Sequence, residues 1–258
     1  MMLVRYQTQI TPNYGLVENG NVYEAMGHPP FGRFTQGVLV GPLDEVDLLA
    51  PIKPGKIVAL ARNYPDHAEE QDAQVPDEPL LFLKAPSSVI GPGATILLPA
   101  LSKQVDHEAE LAVVIGEECQ NVSEDEAWDV VLGITAANDV TARDLQRSDD
   151  QWTRAKSFDT FCPLGPAIVT HLKPRQMKSL EIACRVNGKV RQKSNISEMV
   201  FSIPEIIAYI SVVMTLEPGD VILTGTPSGV GPLKPGDVVE VEIEEVGTLR
   251  NPVETAES

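Results

Sequence analysis

Apolar and polar positions alternate through "LVRYQTQI" near the start of the chain, the period-two pattern of a strand with one buried face. "YGLVENGNVYEA" repeats the pattern on both sides of Asn19-Gly20, a pair suited to a two-residue turn, and predicts a hairpin. Three prolines in "LVGPLDEVDLLAPIKPGK" interrupt the periodicity and predict a boundary near Ala50, with a small N-terminal unit over 1–50 and a main domain over 51–258. "KIVALARNY" begins as an apolar strand, and the polar, Pro-bounded "DHAEEQDAQVPDEP" predicts a surface loop or short helix. "SEDEAWDVVLG" carries Ser123 and Glu126 at capping-box spacing, predicting a short helix, and "ITAANDVT" predicts a strand ending at Asp139. Thr141 is placed to cap a helix starting in "TARDLQ".

"LEIACRVNGKVRQKS" predicts a second hairpin, turning at Asn187-Gly188. The clearest helix is "SIPEIIAYISVVMTLEPGD", with a Ser202–Glu205 capping box and Pro204 in the first turn, where a missing N–H costs nothing. "VILTGTPSGVG" and "KPGDVVEVEIEEVG" return to strands, introduced by Pro-Gly turns at Pro218 and Pro235. Many short strands, few helices and no fixed-period repeat predict a β-rich α+β fold, with two packed sheets or one rolled sheet.

The stretch "VDHEAELAVVIG" raises the first chemical question. On a strand Glu108 and Glu110 share one face with Ala112 and Val114, so two carboxylates stand together where an apolar strand enters the core. At ~7 Å two such charges repel by roughly 2 kcal/mol at an effective dielectric of 20, and burial adds to the cost. The face is solvated, or one acid is protonated or paired with arginine, or a cation lies between them. The pair alone reads as a solvated face. A third acid, Asp139, closes a charge-free strand in the same way, and three carboxylates at strand ends suit a hard divalent cation such as Mg²⁺, although Asp139 also reads as a cap for the next helix. "HEAEL" is not a zinc-protease helix, since it lacks the second histidine and alternates like a strand, with His107 pointing away from the two glutamates.

Composition narrows the classes. A chain of 258 residues, 43% hydrophobic, is long enough for one large domain or a main domain with a small companion. A formal net charge of −17, no basic cluster and few aromatic residues disfavour nucleic-acid binding. No apolar run approaches the ~20 residues that span a bilayer, and the first residues lack a secretory pattern, so a cytoplasmic protein without membrane contact is expected. Cys119, Cys162 and Cys184 are scattered without CxxC spacing and read as buried thiols.

The segments "ARNYPDHAEE", "PLLFLKAPSSVIGPG", "VDHEAELAVVIG", "ANDVTARDLQ", "WTRAKSFDTFCPLGP" and "ILTGTPSGVG", in this order, resemble the fumarylacetoacetate hydrolase family from about residue 55 to 245. The resemblance is strongest to its small members: acylpyruvate and fumarylpyruvate hydrolases, oxaloacetate decarboxylases and hydroxyheptadienedioate isomerases. It implies a mixed β-sandwich roll, usually a homodimer, and a Mg²⁺ or Mn²⁺ site on Glu108, Glu110 and Asp139. It also implies catalytic roles for His67, Glu70 and Lys156 and substrate contacts from Arg143, Gln146 and Thr226. Read without it, His67 is an exposed histidine with an ion-pair partner in Glu70, Lys156 a surface lysine, and "GTPSGVG" a tight turn that lacks the ending of a P-loop. The expected substrate is a small 2-keto acid, and the leading expectation is hydrolysis of a C–C bond in an acylpyruvate, with His67 activating water. Isomerisation and oxaloacetate decarboxylation are the alternatives within the family, and a metal-stabilised binding protein without catalysis is the alternative outside it.

Overall fold

A computed structural model of the chain describes residues 1–170, 172, 174–177 and 179–256. A twelve-stranded sheet forms the body. Its central path runs Phe34–Pro42, Asn21–Gly27, Asn13–Glu18, Met2–Tyr6, Cys162–Val169, Val131–Asn138, Ala109–Ile115, Val221–Leu223, Ile57–Ala61 and Leu80–Lys84. Pairing along this path is antiparallel except where Val221–Leu223 meets Ile57–Ala61. Because Met2–Tyr6 bonds to Cys162–Val169, the first fifty residues extend the sheet of the main domain. A five-stranded sheet (Lys189–Asn195, Glu181–Val186, Val238–Ile243, Gly247–Thr255, Ile96–Leu98) supplies the second layer. The fold is the β-rich α+β arrangement that the patterning predicts.

The core follows strand parity. Ala109, Leu111, Val113 and Ile115 face the five-stranded sheet and helix Ile203–Val213, where Ile182, Val241, Ile206 and Ile210 meet them. Ala112 and Val114 face the other way, into a second cluster with Leu3, Ala59, Leu164 and Leu223 that Ala50 and Ile52 help close. Both faces of this strand are thus dry, which explains its near-continuous apolar sequence.

The turn chemistry behaves as its residues require. Asn19, Gly20, Asn187 and Gly188 all have positive φ, as a two-residue hairpin turn of this type needs. The Ser202–Glu205 box opens the long helix, with the Glu205 carboxylate accepting from Ser202 N at 2.7 Å. Two local expectations fail. Glu126 does reach back to Ser123, but the predicted helix shrinks to the 3₁₀ turn Ala127–Val130, because Val131 onward is drawn into the sheet. Thr141 does not cap helix Arg143–Ser148. It pairs with Asp106 in a short strand, and its hydroxyl donates back to the Asp139 carbonyl.

Candidate active site

The sheet register itself brings the acids together. Ala109 pairs with Asn138 at the end of the ladder, which brings Glu108 and Asp139, the next residues of the two chain segments, beside each other. Strand pairing stops there and local bonds replace it. Asn138 Oδ1 accepts from Glu108 N at 2.9 Å, and Asp139 N donates to Glu108 O at 2.8 Å. Glu110 follows on the same face as Glu108, and each of the three acids offers an oxygen within 4.8 Å of the other two. All three are buried, so the solvated face that the glutamate pair suggests by itself is corrected: the apolar parity continues around them and leaves no water-facing side.

Buried cations answer the buried acids. Lys156 Nζ lies 2.7 Å from Glu108 Oε2 and 2.5 Å from Asp139 Oδ2, bridging the two strands. Lys84 Nζ, at the end of the edge strand, holds the other Asp139 oxygen at 2.5 Å and also donates to the Lys156 carbonyl. Arg143 holds Glu108 Oε1 at 2.5 Å and Asp106 Oδ2 at 2.9 Å, and its remaining amine donates to Gln146 Oε1. Arg143, expected to face substrate, therefore has its guanidinium committed to two acids. Burial opposes the charge of Glu108, but Lys156 and Arg143 overcome it and hold the carboxyl well below its usual range. Burial, then the charges of Asp139 and Glu108, push Glu110 well above that range, and its one side-chain hydrogen bond among the described residues is from Gly225 N at 2.7 Å. Gly225 has φ +95°, and a Cβ there would come 2.8 Å from Asn63 Cβ, so only glycine presents this N–H.

His67 sits on the short helix Pro65–Glu70 and is buried, not exposed as its polar surroundings in sequence suggest. Its Nδ1 lies 3.2 Å from Glu70 Oε2, and its Nε2 lies 2.9 Å from the Gln71 amide nitrogen. The amide donates, which leaves Nε2 unprotonated and Nδ1 carrying the hydrogen. Burial lowers the His67 pKa against the pull of Glu108 and Glu70, which favours this neutral form. Glu70 is fixed in turn by Gly229 N at 3.0 Å. A small recess is lined by His67, Glu108, Glu110, Gln146, Lys156 and Thr226, with Phe82 and Trp152 among its apolar walls. Asp139 lies behind it, under the two lysines.

Sequence reasoning misses Lys84, Asp106, Asn63 and Gln192. Lys84 carries the same signal as Asp139, a charge that closes an apolar strand. Gln192 carries none: its amide donates to Thr226 Oγ1 and Pro227 O, and its carbonyl accepts from Ala109 N and faces His107 Nδ1, bonds between segments far apart in sequence.

The donor set fits a hard divalent cation. It is all oxygen and buried, and a lysine ammonium already bridges two of the acids, as a positive charge there should. Binding a dication requires Glu110 to ionise. Because its pKa is raised in the folded chain, this group stabilises the metal-free fold below its unfolded pKa and loses that contribution as pH rises through the shifted value. Mn²⁺ affinity is therefore expected to rise with pH, with protons released on binding as the pH falls toward the raised Glu110 value. Calorimetry in two buffers of different ionisation enthalpy checks this, and a heat independent of buffer would contradict it.

Residues 56–254 match the family model described as fumarylacetoacetate (FAA) hydrolase C-terminal, and residues 1–51 match one described as Rv2993c-like, N-terminal. A protein of Archaeoglobus fulgidus is 54% identical over 235 residues, 91% of this chain and 93% of its own. A protein of Xenopus laevis named as a mitochondrial oxaloacetate tautomerase is 50% identical over 218 residues, 81% of this chain and 68% of its own. The crystal structure of a 2-hydroxyhepta-2,4-diene-1,7-dioate isomerase from Mycobacterium marinum superposes with a TM-score of 0.91 at 44% identity, covering both chains in full.

Proposed function

The chain belongs to the fumarylacetoacetate hydrolase family, and we propose that it is a divalent-metal-dependent enzyme that enolises a small 2-oxo acid, interconverting keto and enol forms. The observation that carries this reading is a neutral histidine, oriented by a glutamate, lining the same recess as two members of the acidic cluster. The tautomerase and isomerase relatives support the reaction class. Mg²⁺ or Mn²⁺, held by Glu108, Glu110 and Asp139, would supply Lewis acidity to the oxo acid's carboxylate and 2-oxo oxygen.

The protein's own groups carry the proton. His67 Nε2 takes a proton from C3, and Glu70 on Nδ1 stabilises the imidazolium that results. The proton is returned at the 2-oxo oxygen to give the enol. Lys156, already between Glu108 and Asp139, supplies positive charge beside the oxygen that becomes negative. Phe82 and Trp152 limit water in the recess. The same His67–Glu70 pair supports a second reading, C–C hydrolysis of an acylpyruvate, in which His67 takes its proton from water and the hydroxide attacks the distal carbonyl.

Two assays run side by side test the proposal: keto–enol exchange of oxaloacetate and pyruvate release from acylpyruvates, each with Mn²⁺ and with EDTA. Metal-dependent exchange that outpaces pyruvate release is expected. Faster pyruvate release would replace enolisation by hydrolysis, and no turnover in either would leave a binding protein. His67→Ala is expected to lower the exchange rate by about 10²–10⁴-fold while Mn²⁺ affinity holds. An unchanged rate would remove His67 as the base.

A further inference from the structure

Every cation placed against the acidic cluster is paired, yet one other arginine at the recess is not. Lys84, Lys156 and Arg143 are bound to Asp139, Glu108 and Asp106. Arg62 is half-buried, and its Nε is buried without a hydrogen-bond partner among the described residues. Four buried side-chain polar atoms lack a hydrogen-bond partner among the described residues, and Arg62 Nε is the one that belongs to a charged group. A buried guanidinium donor left unsatisfied is costly, which points to a ligand that completes it.

The backbone holds Arg62 in this place at a cost. Its φ is +57°, in the left-handed region that a long side chain seldom adopts. Asn63 enforces the conformation by bonding three backbone groups: its Nδ2 donates to Thr224 O at 2.8 Å and Phe201 O at 3.1 Å, and its Oδ1 accepts from Phe201 N at 2.7 Å. Arg62 lines the inner recess with Glu108, Glu110 and His67. It also lines the adjoining outer cleft with Gln104, Gln146 and Arg147, so it stands where the two meet. Three acids line that cleft: Glu70 is committed to His67, Asp106 to Arg143, and Asp72 stands beside them.

We propose that Arg62 is a specificity-determining residue that binds the distal carboxylate of a 2-oxo dicarboxylate whose oxo-acid end lies at the acidic cluster. This rests on the reading of that cluster as the oxo-acid site. A planar guanidinium offers a carboxylate two parallel bonds, and a methyl-ended acid leaves those donors unpaired. The site therefore selects diacids over acids of equal length with a neutral tail.

The test compares 2-oxoglutarate with 2-oxopentanoate, five-carbon acids that differ in a terminal carboxylate against a methyl group. Binding to the Mn²⁺-loaded protein is measured by calorimetry, so turnover is not needed. The wild type should bind 2-oxoglutarate about tenfold to a hundredfold more tightly, the range of a charge-assisted hydrogen bond. Arg62→Met should bring the ratio near one through loss of diacid affinity, and Arg62→Lys should restore part of it. Equal binding by the wild type, or a ratio that survives Arg62→Met, overturns the assignment alone. Loss of both acids in Arg62→Met that Arg62→Lys does not repair marks a structural residue and also overturns it. If the wild type binds neither acid, the oxo-acid reading of the cluster falls and takes this inference with it.

Discussion

Glu110→Gln is expected to remove nearly all turnover while leaving the metal-free fold intact or firmer. The physical reason is the asymmetry among the three acids. Glu108 and Asp139 are each held by buried cations, whereas Glu110 meets a single backbone N–H and two like charges. Burial and those charges favour its protonated form, and glutamine copies that form while its carbonyl oxygen can still accept from Gly225 N. The metal-free variant should melt at or above the wild-type temperature. It should lose the thermal shift that Mn²⁺ gives the wild type, since a ligand stabilises only the fold it binds. Activity should fall by about a thousandfold, in line with several kcal/mol of lost charge stabilisation. Near-wild-type turnover with an intact Mn²⁺ shift would contradict this role for Glu110.

Asp139→Ala is expected to act oppositely on the fold. Asp139 accepts from two buried ammonium groups, Lys84 and Lys156, and its removal leaves both short of a counter-charge. Breaking a buried pair by deleting one partner costs roughly 3–5 kcal/mol, so the metal-free protein should be strongly destabilised as well as inactive. Adding Lys84→Met should recover part of that loss, because one stranded charge goes with it, yet activity should stay absent. Chemical denaturation of the wild type, the single variant and the double variant checks the sign. A single variant as stable as wild type would mean that the lysines find other partners.

The contrast between these two acids is not visible in the sequence, although the acids themselves are. Strand parity places Glu108 and Glu110 on one face, and a charge closing an apolar run singles out Asp139, because both signals are local to one strand. Lys84 has the same local signal but does not stand out, since a lysine at a strand end is ordinary until its partner is known. The approach of Glu108 to Asp139 depends on register between strands, and the three cations reach the cluster from different elements. Nothing in a single segment encodes such convergence. The hairpins at Asn19-Gly20 and Asn187-Gly188 are legible because positive φ is a property of the turn residues themselves. The fate of the helix expected after Ser123 is not, because strand pairing from Val131 overrides a local cap.

Lys156 stands where a metal ion would enter the cluster. Its ammonium spans Glu108 and Asp139, which burial alone would forbid, and these acids raise its pKa above that of an ordinary lysine. A lysine that remains charged in this position competes with a dication for the same oxygens. A bound ion would take at least one of these oxygens from the ammonium.

Anomalous diffraction from crystals soaked in Mn²⁺ tests the centre of this description most directly. The expected result is a manganese peak in contact with oxygens of Glu108, Glu110 and Asp139, with the Lys156 ammonium moved off at least one of its two acids. A manganese-free cluster in which Lys156 still bridges Glu108 and Asp139, at ion concentrations that support turnover, would contradict it.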